Sequence, residues 1–108
     1  MQNKSYMANN PPLITIITNT KNRAHLISRC IESIRKQTYK NYEHIIADGG
    51  SDHTKDIVAA YNDPQIKYIS VAQGGPVAQT REAFKLSKGD YITFLDDDDE
   101  YLPEKLEK

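Results

Sequence analysis

The sequence predicts an α/β domain, built from Rossmann-like βαβ units around a mostly parallel sheet. Four segments rich in β-branched residues begin near positions 13, 43, 66 and 91, so successive starts are 30, 23 and 25 residues apart. Each interval contains one amphipathic helical pattern. This alternation is typical of right-handed crossovers between parallel strands. A length of 108 residues fits one domain.

The first half of the pattern follows a polar segment over residues 1–10, which we expect to be a flexible N-terminal tail. Residues 13–18 are almost continuously apolar and predict a strand buried on both faces. The next helix is predicted by an apolar stripe at helical spacing. The stripe consists of Leu26, Ile27, Cys30, Ile31 and Ile34.

The second half repeats this order of strand and helix twice and adds a fourth strand. Residues 43–47 predict a strand, and Ser51 or Asp52 is expected to cap a helix over residues 53–61. Residues 66–71 predict the third strand, and Pro76 is expected in the first turn of a helix that reaches Ser87. Residues 91–95 predict a fourth strand, which we also interpret as buried.

Composition excludes several classes of protein. A net charge of −1 gives no general attraction to nucleic acid, and the single cysteine, Cys30, excludes an internal disulfide and a cysteine-rich zinc site. The three histidines, His25, His44 and His53, are dispersed and are expected to be structural. Because no secretion signal or membrane span is evident, we expect a cytoplasmic protein, with peripheral membrane association through further segments left open.

The most informative segment is the run of five acids at residues 96–100, directly after the fourth strand. Ligands of parallel α/β sheets bind outside the carboxyl ends of the strands, where this run is predicted to lie. In an extended backbone Asp96 and Asp98 would point to one side and Asp97 to the other. One aspartate could then coordinate Mg²⁺ or Mn²⁺ whose shell is completed by substrate phosphates. The alternative is a solvated acidic turn before a helix.

Four ordered motifs make the chain resemble the N-terminal, nucleotide-sugar-binding half of a family 2 glycosyltransferase with the GT-A fold. They occupy residues 14–23, 33–43, 48–54 and 89–99, and Pro103 and Leu106 also fall where the family has them. The resemblance assigns residues 11–108 to this half and implies that the acceptor-binding half is absent. It implies transfer of a sugar, with inversion, from a nucleoside diphosphate sugar (a UDP-sugar favoured) to a hydroxyl of an acceptor saccharide or lipid-linked saccharide.

The resemblance also implies roles for individual residues. Asp98 would bind Mn²⁺ or Mg²⁺, and Asp99 would support the turn or the acceptor side. The general base is expected beyond Lys108, so the chain alone is expected to be inactive. The implied nucleotide-binding residues are Thr18, Thr20, Asp48, Arg81, Asp96 and Asp97.

Other interpretations stay open at this stage. Asp48 precedes two glycines and could be a turn former, and Arg23 or Arg81 could be a solvated helix residue. A non-catalytic fragment that binds nucleotide and metal is one alternative function. A receiver-like signalling module is another, but it needs an acidic pair after the first strand, where this chain has Thr18-Asn19-Thr20.

Overall fold

The computed structural model describes residues 11–98 and Leu106; the predicted tail over residues 1–10 lies outside them. Strands and helices alternate strictly along this part of the chain, as predicted. The strands are β1 (Ile14–Thr20), β2 (Tyr42–Asp48), β3 (Ile66–Ser70) and β4 (Tyr91–Phe94). The helices are α1 (Ala24–Arg35), α2 (Thr54–Tyr61) and α3 (Gly75–Leu86). None of these helices is long and apolar enough to cross a membrane.

The four strands form one parallel sheet in the order β3-β2-β1-β4. β1 lies inside the sheet and pairs with β2 along its whole length, from Ile14 opposite Tyr42 to Thr20 opposite Asp48. On its other side β1 pairs with β4, beginning at Ile14 opposite Tyr91. All four carboxyl ends therefore lie at one edge of the sheet, which is the edge that the sequence predicts for a site.

Helices cover both faces of the inner strands, because α1 and α2 pack on one face and α3 on the other. Ile16 packs with Cys30 and Ile34 of α1. The next residue, Ile17, packs with Ala83 of α3, since successive side chains of a strand point to opposite faces. This double cover explains the almost continuous apolar runs of β1 and β2. It also confirms that Cys30 is a core residue.

The expectation that the fourth strand is buried is wrong. In the described part of the chain β4 is an edge strand that pairs with β1 alone. Tyr91 is 62% exposed and Phe94 is 57% exposed. The apolar sequence of β4 matches that of a buried strand, but burial depends on a neighbour on each side, which the sequence pattern does not reveal.

Asp52 joins the N-termini of α1 and α2. Its Oδ2 accepts a hydrogen bond from the main-chain N–H of Ala24 at 2.9 Å. Its Oδ1 accepts from the main-chain N–H of Thr54 at 3.2 Å and from the Thr54 hydroxyl at 2.8 Å. The Thr54 hydroxyl, followed by these main-chain donors, lowers the pKa of Asp52 despite partial desolvation. The N-cap residue of α2 is His53 rather than the predicted Ser51 or Asp52. Asp52, one residue earlier, nevertheless accepts from N–H groups at the starts of both helices, so one carboxylate serves two helices.

A buried carboxylate, Glu43, fixes the amino-terminal edge of the sheet. Its Oε1 accepts from Lys67 Nζ at 2.7 Å, and its Oε2 accepts from the Thr15 hydroxyl and from the Lys88 main-chain N–H, each at 2.6 Å. Gly89 donates its N–H to the Thr15 hydroxyl at 2.9 Å, and a Cβ at Gly89 would lie 2.4 Å from that oxygen. The turn between α3 and β4 is therefore held against β1 and β2.

We expect Glu43→Gln to lower the free energy of unfolding by about 2 kcal/mol at pH 7, because a neutral amide accepts weaker hydrogen bonds than a carboxylate. Burial raises the pKa of Glu43, but the hydrogen bonds from Lys67, Lys88 and Thr15 outweigh burial and lower it below its ordinary value. A lowered folded-state pKa means that this stabilisation is present above the unfolded pKa of about 4.3 and is lost as the pH falls through the folded value.

Urea denaturation of both proteins from pH 7 down to pH 3 measures this difference. The gap between wild type and Glu43→Gln should narrow below about pH 4. Glu32→Gln is the control, since Glu32 is about half exposed and lies 3.8 Å from Arg35 in a surface ion pair. An equal loss of stability in the two variants would contradict the role assigned to Glu43.

Candidate functional site

A cavity of about 610 Å³ opens at the carboxyl edge of the sheet. It lies between the loop after β1, the first turn of α3 and the segment after β4. We call residues 96–98 the acidic turn and this space the acidic-turn cavity. Asp96, Asp97 and Asp98 all line it, as do Lys21 and Arg23 from the loop after β1. The cavity therefore brings carboxylates and cationic side chains together.

Asp97 is the anchor of the acidic turn. It is 4% exposed, its Oδ2 accepts a hydrogen bond from the Thr20 hydroxyl at 2.8 Å, and its Oδ1 accepts from Arg23 NH1 at 3.0 Å. Asp96 and Asp98 are exposed. The predicted division of the three aspartates between two sides assumed an extended backbone, whereas β4 ends at Phe94 and Asp97 and Asp98 lie in a turn. Both oxygens of Asp97 have partners within the chain, so a ribose contact would share an oxygen with one of them. Asp99 lies outside the described residues.

Two arginines of the α1 region approach Asp98. NH1 of Arg23 lies 3.8 Å from Asp98 Oδ2, and NH2 of Arg29 donates to the Asp98 main-chain oxygen at 3.0 Å. The Asp98 side chain is 56% exposed. The sequence indicated Arg23 as a cation near a strand end, whereas Arg29 was not predicted. Its position on the second turn of α1 is linked to the acidic turn only by the tertiary structure.

Gln79 of α3 bridges the ends of β1 and β2, and this role was not predicted from the sequence. It is 3% exposed, and its Nε2 donates to the main-chain oxygens of Thr20 at 3.0 Å and Ala47 at 2.7 Å. Gly49 allows the close approach, because a Cβ there would lie 3.0 Å from the Gln79 carboxamide. A polar residue on the buried side of a helix was the available signal. Gln79 holds in place the residue, Thr20, that binds Asp97.

The structure does not bring the Thr18 side chain to the acidic-turn cavity. Thr18 is fully buried, and its hydroxyl lies 2.9 Å from His44 Nε2 and 3.7 Å from Cys30 Sγ. Its position two residues before the end of β1 places it beneath α1, so it belongs to the core. Burial lowers the pKa of His44 to about 3, which keeps the ring neutral and agrees with the structural role predicted for it.

Asp48 ends β2 and acts as a turn former. It is 1% exposed, its Oδ1 accepts from the Gly50 N–H at 2.9 Å, and its Oδ2 accepts from the Tyr68 hydroxyl at 2.6 Å. Burial and the adjacent carboxylate raise the pKa of Tyr68. Asp48 does not line the acidic-turn cavity. Its predicted contact with a nucleotide base stays a prediction.

Arg81 lies apart from the acidic turn. Its side chain is 61% exposed and lies 3.5 Å from Glu82, and it lines a separate cavity of about 630 Å³ between α3 and the segment after β3. Two residues along an α-helix correspond to a rotation of about 200°. Since Gln79 points toward the ends of β1 and β2, Arg81 points away from the acidic turn and toward the segment after β3. The structure therefore does not group Arg81 with the acidic turn.

The donor set of the acidic turn fits one kind of metal ion. Among residues 11–98 and Leu106, no group of three or more His, Cys, Asp or Glu side chains could hold a metal ion. Two exposed carboxylates, those of Asp96 and Asp98, are available at the cavity. Mg²⁺ and Mn²⁺ can bind through only one or two protein carboxylates, because phosphate and water oxygens complete the coordination shell. The turn fits a hard divalent cation that binds together with a phosphate ligand.

Comparison with known protein families identifies the family of the chain. A family model described as glycosyl transferase family 2 matches residues 15–108. The chain belongs to glycosyl transferase family 2. Membership confirms the family that the four sequence motifs resemble, and it leaves the receiver-like signalling module without support.

Two family 2 relatives come from Escherichia coli. WcaA of strain K12, a glycosyl transferase assigned to colanic acid biosynthesis, is 43% identical over 101 residues, which cover 90% of this chain and 36% of that protein. WfgD, named UDP-Glc:α-D-GlcNAc-diphosphoundecaprenol β-1,3-glucosyltransferase, is 38% identical over 97 residues, covering 88% of this chain and 38% of that protein. The chain thus spans a little over a third of the length of these two relatives.

A solved structure shows the same fold. Staphylococcus aureus TarS, residues 1–349, in complex with UDP-GlcNAc matches 87% of this chain and 29% of that one, with a TM-score of 0.81 and 27% identity. The predicted GT-A type of α/β fold is confirmed by this likeness. This family 2 chain therefore has the parallel sheet that the sequence predicts.

We expect Gln79→Met to lower the free energy of unfolding of this glycosyltransferase chain by about 2 kcal/mol, because two buried carbonyl groups lose a donor. Amide hydrogen exchange should become faster at the end of β1. The control is Gln73→Met, at an exposed position, for which we expect a change within about 0.5 kcal/mol. Similar effects of the two substitutions, measured by urea denaturation, would show that Gln79 does not bridge the strands.

Proposed function

We propose that this family 2 glycosyltransferase chain binds a nucleoside diphosphate sugar in the acidic-turn cavity together with Mn²⁺ or Mg²⁺. The observation that supports the proposal most is the division of labour among three aspartates. Asp97 is buried and paired with Thr20 and Arg23, while Asp96 and Asp98 are exposed at a cavity of about 610 Å³. In a solvated acidic turn the central carboxylate would stay exposed to water, because burying a carboxylate costs free energy.

A solved structure and a sequence relative both support the class of sugar donor. TarS was crystallised with UDP and with UDP-GlcNAc, and the name of WfgD specifies UDP-Glc. We therefore propose a UDP-sugar as the donor. The name of WfgD also specifies an acceptor linked to diphosphoundecaprenol. We propose an acceptor saccharide of the same lipid-linked kind, a cytoplasmic location, and peripheral association with the membrane that holds this lipid.

Different groups around the cavity would bind different parts of the donor. Asp98 would hold the divalent cation, Asp96 would contact the nucleotide, and Lys21 would attract the diphosphate. Gly75 and Pro76 place the N-terminus of α3 at the cavity, where the helix dipole favours an anion. A bound cation would stabilise negative charge on the departing nucleoside diphosphate.

We propose that transfer inverts the anomeric carbon, as the family resemblance implies. The acceptor hydroxyl attacks that carbon, the bond to the diphosphate oxygen breaks, and the hydroxyl proton passes to a general base. The proposal assigns the base to none of the described residues. The chain would supply donor binding and orientation, which bring the reacting groups into line.

We expect UDP with Mn²⁺ to raise the melting temperature of the chain more than GDP, dTDP or CDP with Mn²⁺, or UDP alone. At a nucleotide concentration of about 100 times the Kd, binding adds about 2.7 kcal/mol to the free energy of unfolding. A thermal-shift panel of the four nucleotides, each with and without Mn²⁺, measures this effect. The proposed site is wrong if none of them gives a metal-dependent shift.

We expect Asp98→Asn to abolish the contribution of Mn²⁺ to this shift, because the amide removes the proposed metal ligand and its charge. Glu82→Gln is the matched control, since it also removes one carboxylate but lies on α3 beside Arg81 and Lys85, outside the acidic-turn cavity. If Asp98→Asn keeps the wild-type metal dependence in the same assay, another residue binds the cation.

A further inference from the structure

Arg23 is the one described cation whose side chain lies between two carboxylates of the acidic turn. It directly precedes α1, and its guanidinium NH1 donates to Asp97 Oδ1 at 3.0 Å and lies 3.8 Å from Asp98 Oδ2. Its side chain is 51% exposed and lines the acidic-turn cavity. A single nitrogen thus faces both the buried anchor and the exposed aspartate.

The two contacts of Arg23 differ in strength. The contact with Asp97 is short, and its partner is nearly enclosed, with a side chain that is 5% exposed. The contact with Asp98 is longer, and both partners are about half exposed, so solvent screens it. The contact between the guanidinium and Asp98 can therefore break while the hydrogen bond to Asp97 remains. A guanidinium also binds phosphate oxygens through several donors at once, which makes a diphosphate a strong competitor for it.

The position of Arg23 has a consequence for a cation that approaches Asp98. A fixed positive charge within 4 Å of Asp98 Oδ2 opposes a divalent cation at the same oxygen. A diphosphate in the cavity would reverse this effect, because its negative charge offsets the guanidinium and its oxygens add ligands to the cation. Metal binding and nucleotide binding would then strengthen each other.

We propose that Arg23 makes metal binding depend on the nucleoside diphosphate. In the absence of donor, Arg23 balances the charge of the acidic turn and keeps the affinity of Asp98 for a free cation low. When the diphosphate binds, Arg23 keeps its bond to Asp97 and turns its free donors to the phosphate. This inference rests on the proposed function, because it takes Asp98 as the metal ligand.

The proposal is tested by titrating Mn²⁺ into the chain with and without saturating UDP, and measuring free Mn²⁺ by its electron paramagnetic resonance signal. For wild type we expect UDP to tighten Mn²⁺ binding by at least about tenfold, with the same factor for the effect of Mn²⁺ on UDP. For Arg23→Gln we expect Mn²⁺ alone to bind about tenfold more tightly and the coupling to UDP to fall correspondingly. Arg23→Lys keeps the charge and should keep the weak binding of Mn²⁺ alone.

The control is Arg35→Gln, which removes the same charge from the opposite end of α1, where Arg35 pairs with Glu32 and Asp63. It should leave both Mn²⁺ affinities at the wild-type values. The proposal is overturned if Arg23→Gln binds Mn²⁺ alone no more tightly than wild type and keeps the wild-type coupling. Failure of the proposed function has a different signature, which is absence of Mn²⁺-dependent UDP binding in the wild-type chain.

A second comparison keeps the test decisive if Arg23→Gln does not fold because Asp97 loses its partner. The double variant Arg23→Gln, Asp97→Asn leaves no unpaired buried charge, and its reference is Asp97→Asn. The double variant should bind Mn²⁺ alone more tightly than the reference does. Equal affinities would overturn the proposal.

Discussion

The burial of β1 on both faces is the constraint on which the rest of the structure depends. Its inner residues, such as Ile16 and Ile17, are covered by α1 on one side and α3 on the other. A strand enclosed in this way has no room for polar side chains that lack partners. Chemistry-bearing groups are therefore confined to the point where the strand ends, at Asn19 and Thr20 and in the loop that follows. Because β1 is flanked by β2 and β4, their terminal residues meet at the same point.

Polar side chains then hold these strand ends in fixed relative positions. Gln79 links the end of β1 to that of β2, Asp52 links the starts of α1 and α2, and Thr20 links β1 to the turn after β4. Each link includes at least one contact between residues far apart in the sequence, and it satisfies main-chain or carboxylate groups that would otherwise be unpaired near the sheet. The acidic-turn cavity is thus bounded by elements that are hydrogen-bonded to one another.

Two of the buried carboxylates, Glu43 and Asp97 at opposite edges of the sheet, show how the chain uses the same chemistry for two purposes. Glu43 is surrounded by Lys67 and by main-chain and hydroxyl donors, which hold the turn between α3 and β4 against β1 and β2. Asp97 is bound by Thr20 and Arg23, and its neighbours Asp96 and Asp98 face solvent. In each case the paired donors offset the free-energy cost of burying the carboxylate. The two carboxylates differ in their sequence neighbours, because only Asp97 lies between two exposed aspartates.

The sequence by itself determined the order of strands and helices, the parallel sheet, the edge at which the site lies and the family. It could do so because apolar periodicity and turn residues are local properties, and because the four motifs occur in register along the chain. The tertiary structure decided the features that depend on neighbours from distant segments. It made β4 an edge strand, placed Thr18 beneath α1 and directed Arg81 away from the acidic turn. It also brought Gln79 and Arg29 into contact with residues around the acidic turn. Tertiary contacts of this kind join residues up to 77 positions apart, as between Thr20 and Asp97, and such pairs leave no pattern in a single sequence.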